Sequence, residues 1–236
     1  MAEPLPAGLW RRLRQRLRRA RSGGAPGSHP WRTPGPVSRT FGFDRGTPID
    51  RVYIARFLAS HAGDIRGAVL EVGDATYTRR FGHGVTRSDV VHHADGAPAG
   101  AIVADLMDAP ALASGAYQCV IATQTLQHIP NVAAAVGTIH RILAPGGVAL
   151  ITVPGIGQIS RFDADRWGDF WRFTSQGLRR VLEASCPQAQ VEVHAYGSAW
   201  TAVAALQGLA AEELEPDEFA WRDADYEVVL TARVVK

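Results

Sequence analysis

The chain has 236 residues and a mass of 25.4 kDa, long enough for one α/β domain with a full hydrophobic core. Hydrophobic residues make up 46% and charged residues 20%, which excludes a wholly disordered, collagenous or coiled-coil protein. The net charge of +2 hides a split: residues 1–40 hold nine Arg against Glu3, a surplus of +8, and leave residues 41–236 at −6.

Seven of those nine arginines fall in Arg11–Arg21, interleaved with Leu9, Leu13 and Leu17 at four-residue spacing. As a helix, this segment shows one apolar stripe and a dense cationic face suited to a peripheral membrane surface or an acidic partner; unfolded, it is a solvated tail. Ser22–Pro36 is rich in Gly, Pro and Ser and reads as a linker, so residues 1–40 form a basic, flexible head and 41–236 the folded domain. The acidic body argues against a nucleic-acid substrate, which requires positive charge around the active mouth. No apolar run approaches the roughly 20 residues of a transmembrane span, and no apolar core follows the arginines as a signal peptide requires. Cys119 and Cys186 are too few for a disulfide framework or zinc cluster, so a reducing, cytoplasmic location is expected.

In chain order, Arg51–His61 reads as a helix, and strands are expected at Ala68–Val72, Val85–Val90, Ala101–Ala104, Cys119–Thr123 and Val148–Val153. Between the last two, Val132, Val136, Ile139 and Leu143 recur at helical spacing, with Asn131 as N-cap and Pro145-Gly146-Gly147 as the stop. An aromatic loop, a helix Thr174–Ala184, a strand Gln190–Tyr196, a helix Ala199–Glu213 and a strand Tyr226–Val235 complete the chain. The alternation predicts a Rossmann-like α/β fold, a seven-stranded, mostly parallel sheet with helices on both faces. Too few residues separate Gly73 from the second strand, and Asp89 from the third, for full crossovers, so the first two crossover helices are expected to be short or missing.

Val69–Val72 is an apolar strand running through Glu71 into Gly73-Asp74, where an open α/β sheet binds a nucleotide-like ligand. Asp89 follows at the spacing of an acidic residue that grips ribose hydroxyls, Asp105-Leu106 stands at the end of the third strand, and Gln124 at the end of the fourth. Polar groups therefore converge on one edge of the sheet.

These segments resemble the class I S-adenosylmethionine-dependent methyltransferases of the type 11 group. The resemblance rests on Leu70-Glu71-Val72-Gly73, Asp89, Asp105-Leu106, Ile121–Pro130 and the turn Arg141–Gly147, and covers about residues 45–235. Asp44–Arg51 with Tyr53 looks like bacterial members found beside glycosyltransferases. The resemblance implies S-adenosyl-L-methionine as cofactor and an antiparallel final strand. It implies Glu71 and Gly73 at the methionine end, Asp89 on the ribose, and Asp105 and Leu106 on the adenine. Tyr53, Val72, Asp74 and Gln124 complete the expected cofactor set. The sequence departs from the family pattern after Gly73, where Asp74-Ala75-Thr76-Tyr77 replaces the usual second and third glycines.

Methyl transfer is an in-line displacement that needs a placed nucleophile and, for a hydroxyl, a base. His128, after the fourth strand, is the candidate base, with hydrogen bonding that only positions the loop as its alternative. In the loop Asp163–Thr174, Trp167 and Asp169 are the candidate substrate residues, while Trp171 and Phe173 pin the loop to the core and Thr174 caps the next helix. Gly197–Asp225, with Trp200 and Trp221, is expected to wall the pocket. His92-His93 reads as a solvated loop, and no metal is expected. The function expected is a methyltransferase acting on a hydroxyl or amine of a small molecule, a sugar or secondary metabolite. The alternative is a non-methylating or accessory member of the fold in natural-product or glycan biosynthesis.

Overall fold

A computed structural model describes residues 34–93, 97 and 99–236; the helix or tail expected at Arg11–Arg21 and nearly all of the linker lie outside the described residues. The chain divides into two units, Met1–Pro36 and Val37–Lys236, and the elements below belong to the second. Residues 37–40 are part of it, since Ser38 is buried and its amide donates to Gln207 O at 3.0 Å.

The elements are α1 (Ile49–Ser60), β1 (Gly67–Val72), α2 (Thr76–Phe81), β2 (Val85–His92), β3 (Ile102–Val103), β4 (Tyr117–Thr123), α3 (Val132–Ile142), β5 (Leu143–Pro154), α4 (Arg161–Ala164), α5 (Ser175–Ser185), β6 (Gln190–Tyr196), α6 (Ala199–Gln207) and β7 (Val229–Val235). The strands form one sheet in the order β3-β2-β1-β4-β5-β7-β6, parallel except for β7, which is antiparallel to both neighbours. This is the mostly parallel seven-stranded fold with an antiparallel last strand.

Alternation along the central strands builds two cores. Leu70, Val120, Ala122 and Ile151 face α3 and α5, meeting Val136, Ile139, Leu178 and Leu182. Val69, Cys119, Ile121 and Leu150 face the other way, onto Ile54, Phe57 and Leu58 of α1 and Ala202 of α6. Both faces being covered, the central strands read as nearly continuous apolar runs. Asn131 caps α3 by accepting from Ala134 N–H at 3.1 Å, and Thr174 caps α5 by accepting from Gly177 N–H at 3.1 Å. Among the described residues no helix is long and apolar enough to cross a membrane.

Several boundaries differ from the sequence reading, four of them for reasons the structure shows. Helix α3 ends at Ile142 and β5 begins at once, because Leu143 pairs with Tyr117; Pro145-Gly146-Gly147 sits in an irregular opening of that strand. Helix α6 stops at Gly208, whose φ of +67° ends it before Glu213. The last strand starts at Val229, since Tyr226 N–H turns back to Asp223 O at 3.1 Å. Strand β2 runs two residues beyond Val90, to His92, with consequences for the site. The first crossover helix, α2, has only six residues, and none appears between β2 and β3 among the described residues.

Candidate active site

Strand order reverses between β1 and β4, which leaves a crevice at their carboxyl ends. A cavity of about 380 Å³ opens there, lined by residues that end β1, β2, β3 and β4. Gly73 adopts φ +92°, which L side chains rarely do, and a Cβ at this position meets nothing within 4 Å. A ligand can therefore approach its backbone directly. Leu106 is buried against the cavity wall, and Asp105 Oδ1 accepts from Met107 N–H at 2.8 Å. Gln124 is held at φ +48°, a strained conformation for a non-glycine residue, by its amide donating to Thr152 O at 2.8 Å. Its Nε2 is buried without a hydrogen-bond partner among the described residues. Val72, Gly73, Asp105, Leu106 and Gln124 of the expected cofactor set thus share one cavity.

Four members of that set do not line it. Tyr53 is 0% exposed, its ring packed on Tyr196 and Phe219 in the α1 core, and burial pushes its hydroxyl pKa up. Glu71 is 2% exposed and accepts from the N–H groups of Tyr77 and Thr78, at 2.9 and 2.7 Å, and from Thr78 Oγ1 at 2.7 Å. Ala75 offers α2 no side-chain cap, so Glu71 supplies one from β1. Burial raises the Glu71 carboxyl pKa, against the lowering by these bonds. Asp74 is exposed and accepts from Thr76 N–H at 2.6 Å. Asp89 pairs with Leu70 inside the sheet, short of the strand ends; its carboxylate accepts from Tyr117 Oη at 2.8 Å and lies 3.0 Å from Arg87 Nε. Burial, then the Asp89 carboxylate, pushes the Tyr117 hydroxyl up to about 12.

The extra length of β2 explains why Asp89 does not line the cavity. Val91 and His92 occupy the tip where a ribose-binding acid was expected; His92 ends the strand and lines the cavity, and His93, exposed just beyond the strand, lines it too. Their signal was the apolar pair Val90-Val91 continuing the strand past Asp89. Substituting Asp89→Ala is therefore expected to cost about 1 kcal/mol of stability from the lost Tyr117 bond, roughly 2–4 °C in Tm. Calorimetry should find S-adenosylhomocysteine affinity unchanged; a tenfold loss would return Asp89 to the ribose.

A second cavity of about 710 Å³ adjoins the first, with Thr123, Gln124, His128 and Trp167 lining both. His128 sits on a 3₁₀ turn, Leu126–His128, and its side chain is 16% exposed. Its Nδ1 lies 2.7 Å from Gly168 O, which only accepts, so Nδ1 carries the proton and Nε2 keeps the basic lone pair. Gln127 Nε2 lies 3.2 Å and Asp163 Oδ2 3.9 Å from that Nε2. Gly168 itself needs its φ of +93°, and a Cβ there would strike the Phe170 ring at 2.3 Å. Two further bonds staple this loop to the His128 turn: Phe170 N–H to Gln127 O at 2.8 Å and Trp171 Nε1–H to Ile129 O at 3.0 Å. Phe173 packs against the core.

Trp167 faces both cavities, edge-on to His92 and His128. Asp169 does not serve as a free substrate ligand. Its side chain is 1% exposed, paired with Arg172 at 2.6 and 2.8 Å and accepting from Ser160 N–H at 3.0 Å. Burial pushes its pKa up, but Arg172 and the Ser160 amide outweigh this and hold the carboxyl below its usual value. Of Gly197–Asp225, only Ala205 lines the larger cavity, and Trp221 points to solvent at 70% exposure.

A family model described as "Methyltransferase domain" matches residues 35–189. The fold is similar to that of an S-adenosylmethionine-dependent methyltransferase from Mesorhizobium loti, with 14% identity over 80% of this chain and 98% of that one and a TM-score of 0.53. It is also similar to the [4+2]-cyclase SpnF, at 17% identity, 94% and 92% coverage and a TM-score of 0.52. A third similar structure is Haemonchus contortus phosphoethanolamine N-methyltransferase 2 in complex with S-adenosyl-L-methionine, at 15% identity, 78% and 52% coverage and a TM-score of 0.50. At these identities the likeness is one of fold. No curated protein matches this sequence. The matched span, two-thirds of the chain, and the cavity at the sheet's switch point lead to one statement: the chain belongs to the methyltransferase-domain family, with S-adenosylmethionine as its cofactor.

Proposed function

We propose that the protein transfers a methyl group from S-adenosylmethionine in the smaller cavity to a hydroxyl or amine of a small molecule in the larger one. The observation that carries this reading is the shared wall: Thr123, Gln124, His128 and Trp167 border both cavities, so two ligands meet at one histidine. The residues present fit the cofactor. Gly73 leaves space for it, the unpartnered Gln124 Nε2 is a donor suited to a carboxylate, and Leu106 with Asp105 offers an apolar face beside an acceptor. When bound, the cofactor supplies an electrophilic sulfonium methyl.

His128 Nε2 takes the proton of an acceptor hydroxyl as its oxygen becomes the nucleophile, and the bond from Nδ1 to Gly168 O fixes the tautomer that does so. Asp163, 3.9 Å away, stabilises the imidazolium that results. Trp167 closes the wall between solvent and the reacting groups. A hydroxylated acceptor such as a sugar or secondary metabolite suits this base better than an amine, which attacks through a free lone pair. It agrees with the glycosyltransferase-associated subgroup that Asp44–Tyr53 resembles.

A second reading, a non-methylating member of the fold, is favoured by the loss of a ribose carboxylate at the tip of β2, where His92 stands. Incubating the protein with methyl-labelled S-adenosylmethionine and a panel of sugars and phenols separates the two. Label in the small-molecule fraction supports the transferase; cofactor binding with no transfer to any acceptor supports the second reading.

A further inference from the structure

We propose that the acceptor carries an oxyanionic group, a phosphate or a carboxylate, which Arg39 and Arg161 clamp at the rim of the larger cavity while the nucleophile faces His128. This deepens the transferase reading and rests on it.

The larger cavity is bordered by four arginines, Arg39, Arg51, Arg161 and Arg172, and three aspartates, Asp50, Asp163 and Asp169. Two arginines are already committed. Arg172 grips Asp169 through two bonds, at 2.6 and 2.8 Å, and Arg51 Nη1 lies 3.0 Å from Asp50. Asp163 stands beside His128 Nε2. Arg39 and Arg161 are exposed, line the cavity, and have no carboxylate within 4.0 Å among the described residues. Two uncompensated guanidiniums on one rim are notable in a domain, residues 37–236, whose charges sum to −5. Such a rim concentrates anions against the field of the rest of the domain.

The two arginines come from segments far apart in sequence, which a side-chain hydrogen bond links. Gln158 Nε2 donates to Arg39 O at 3.0 Å, and Gln158 lies three residues before Arg161. Arg161 opens α4 behind Ser160, whose amide donates to Asp169 at 3.0 Å and whose hydroxyl accepts from Asp163 N–H at 3.3 Å. Both side chains are exposed where they line the cavity, which leaves their guanidinium N–H donors open to a ligand, and arginine binds a phosphate or carboxylate through such paired donors. Charge also sets the ligand's direction. Asp163 repels an anion from the His128 end, so the oxyanion lies at the rim and a neutral hydroxyl at the base.

The test uses the full chain saturated with S-adenosylhomocysteine and titrated calorimetrically with inorganic pyrophosphate and, separately, succinate. At least one should bind, and the double variant Arg39→Gln/Arg161→Gln should weaken that binding tenfold or more with S-adenosylhomocysteine affinity unchanged. The probe that binds identifies phosphate or carboxylate as the group recognised. The clamp is overturned if neither anion binds, or if the variant binds as tightly as the wild type, which would place the anions elsewhere, including on the arginine-rich head. Failure to bind S-adenosylhomocysteine would instead remove the transferase reading, and the clamp with it.

Discussion

Replacing His128 with glutamine is expected to slow methyl transfer to a hydroxyl acceptor by about a hundredfold or more. Glutamine has a similar volume and carries its amide near the Nε2 position, and the loop keeps its bonds to Gln127 O and Ile129 O, but it offers no lone pair basic enough to accept a hydroxyl proton. The loss should therefore fall on kcat, with S-adenosylhomocysteine affinity and Tm close to wild type. Single-turnover rates with labelled cofactor measure this directly. Transfer at a near-normal rate would mean that His128 only holds the Gly168 carbonyl in place, or that the acceptor is an amine that needs no base.

Gly73→Val should abolish cofactor binding more completely than any other single change in the smaller cavity. At φ +92° a β-branched side chain is strained by about 1–3 kcal/mol, and because Gly73 lines the cavity with open space around its Cβ position, the added methyls are expected to take up ligand space. The strain predicts a fall in Tm of several degrees, and the filled space predicts a loss of S-adenosylhomocysteine affinity of roughly a hundredfold or more, about 2.7 kcal/mol. Gly73→Ala separates the two effects, because it carries similar strain with one carbon: its Tm should drop comparably while its affinity falls less. An unchanged dissociation constant in Gly73→Val would put the ligand somewhere other than over this turn.

The fold was largely legible because parallel strands buried on both faces announce themselves as apolar runs, and because Asn131 and Thr174 cap their helices with side chains that only that role explains. Boundaries failed where pairing overrode local signals. Pro145-Gly146-Gly147 looks like the end of a helix, yet Leu143 is recruited by Tyr117 before the chain reaches it. A residue's position at a strand tip fixes its surroundings, which is why Gly73, Asp105 and Gln124 share one cavity. Position alone does not place Glu71, Asp89 and Asp169, whose surroundings depend on which donors fold against them. Glu71, Asp89 and Asp169 each found a local partner: an uncapped helix, a tyrosine hydroxyl and an arginine. Asp89 shows the cost of a two-residue error in strand length, since extending β2 to His92 leaves the acid inside the sheet. Nothing in the sequence brings Arg39 and Arg161 to one cavity, because their segments are far apart along the chain and are linked by the Gln158 bond to Arg39 O.

The most direct measurement is a crystal structure of the protein soaked with S-adenosylhomocysteine. The nucleoside should lie across the ends of β1 to β4, its adenine beside Asp105 and Leu106, its sulfur toward His128, and its amino-acid tail near Gly73 and Gln124. Density for the ligand at any other site, or a switch-point cavity still empty at saturating ligand, would contradict it.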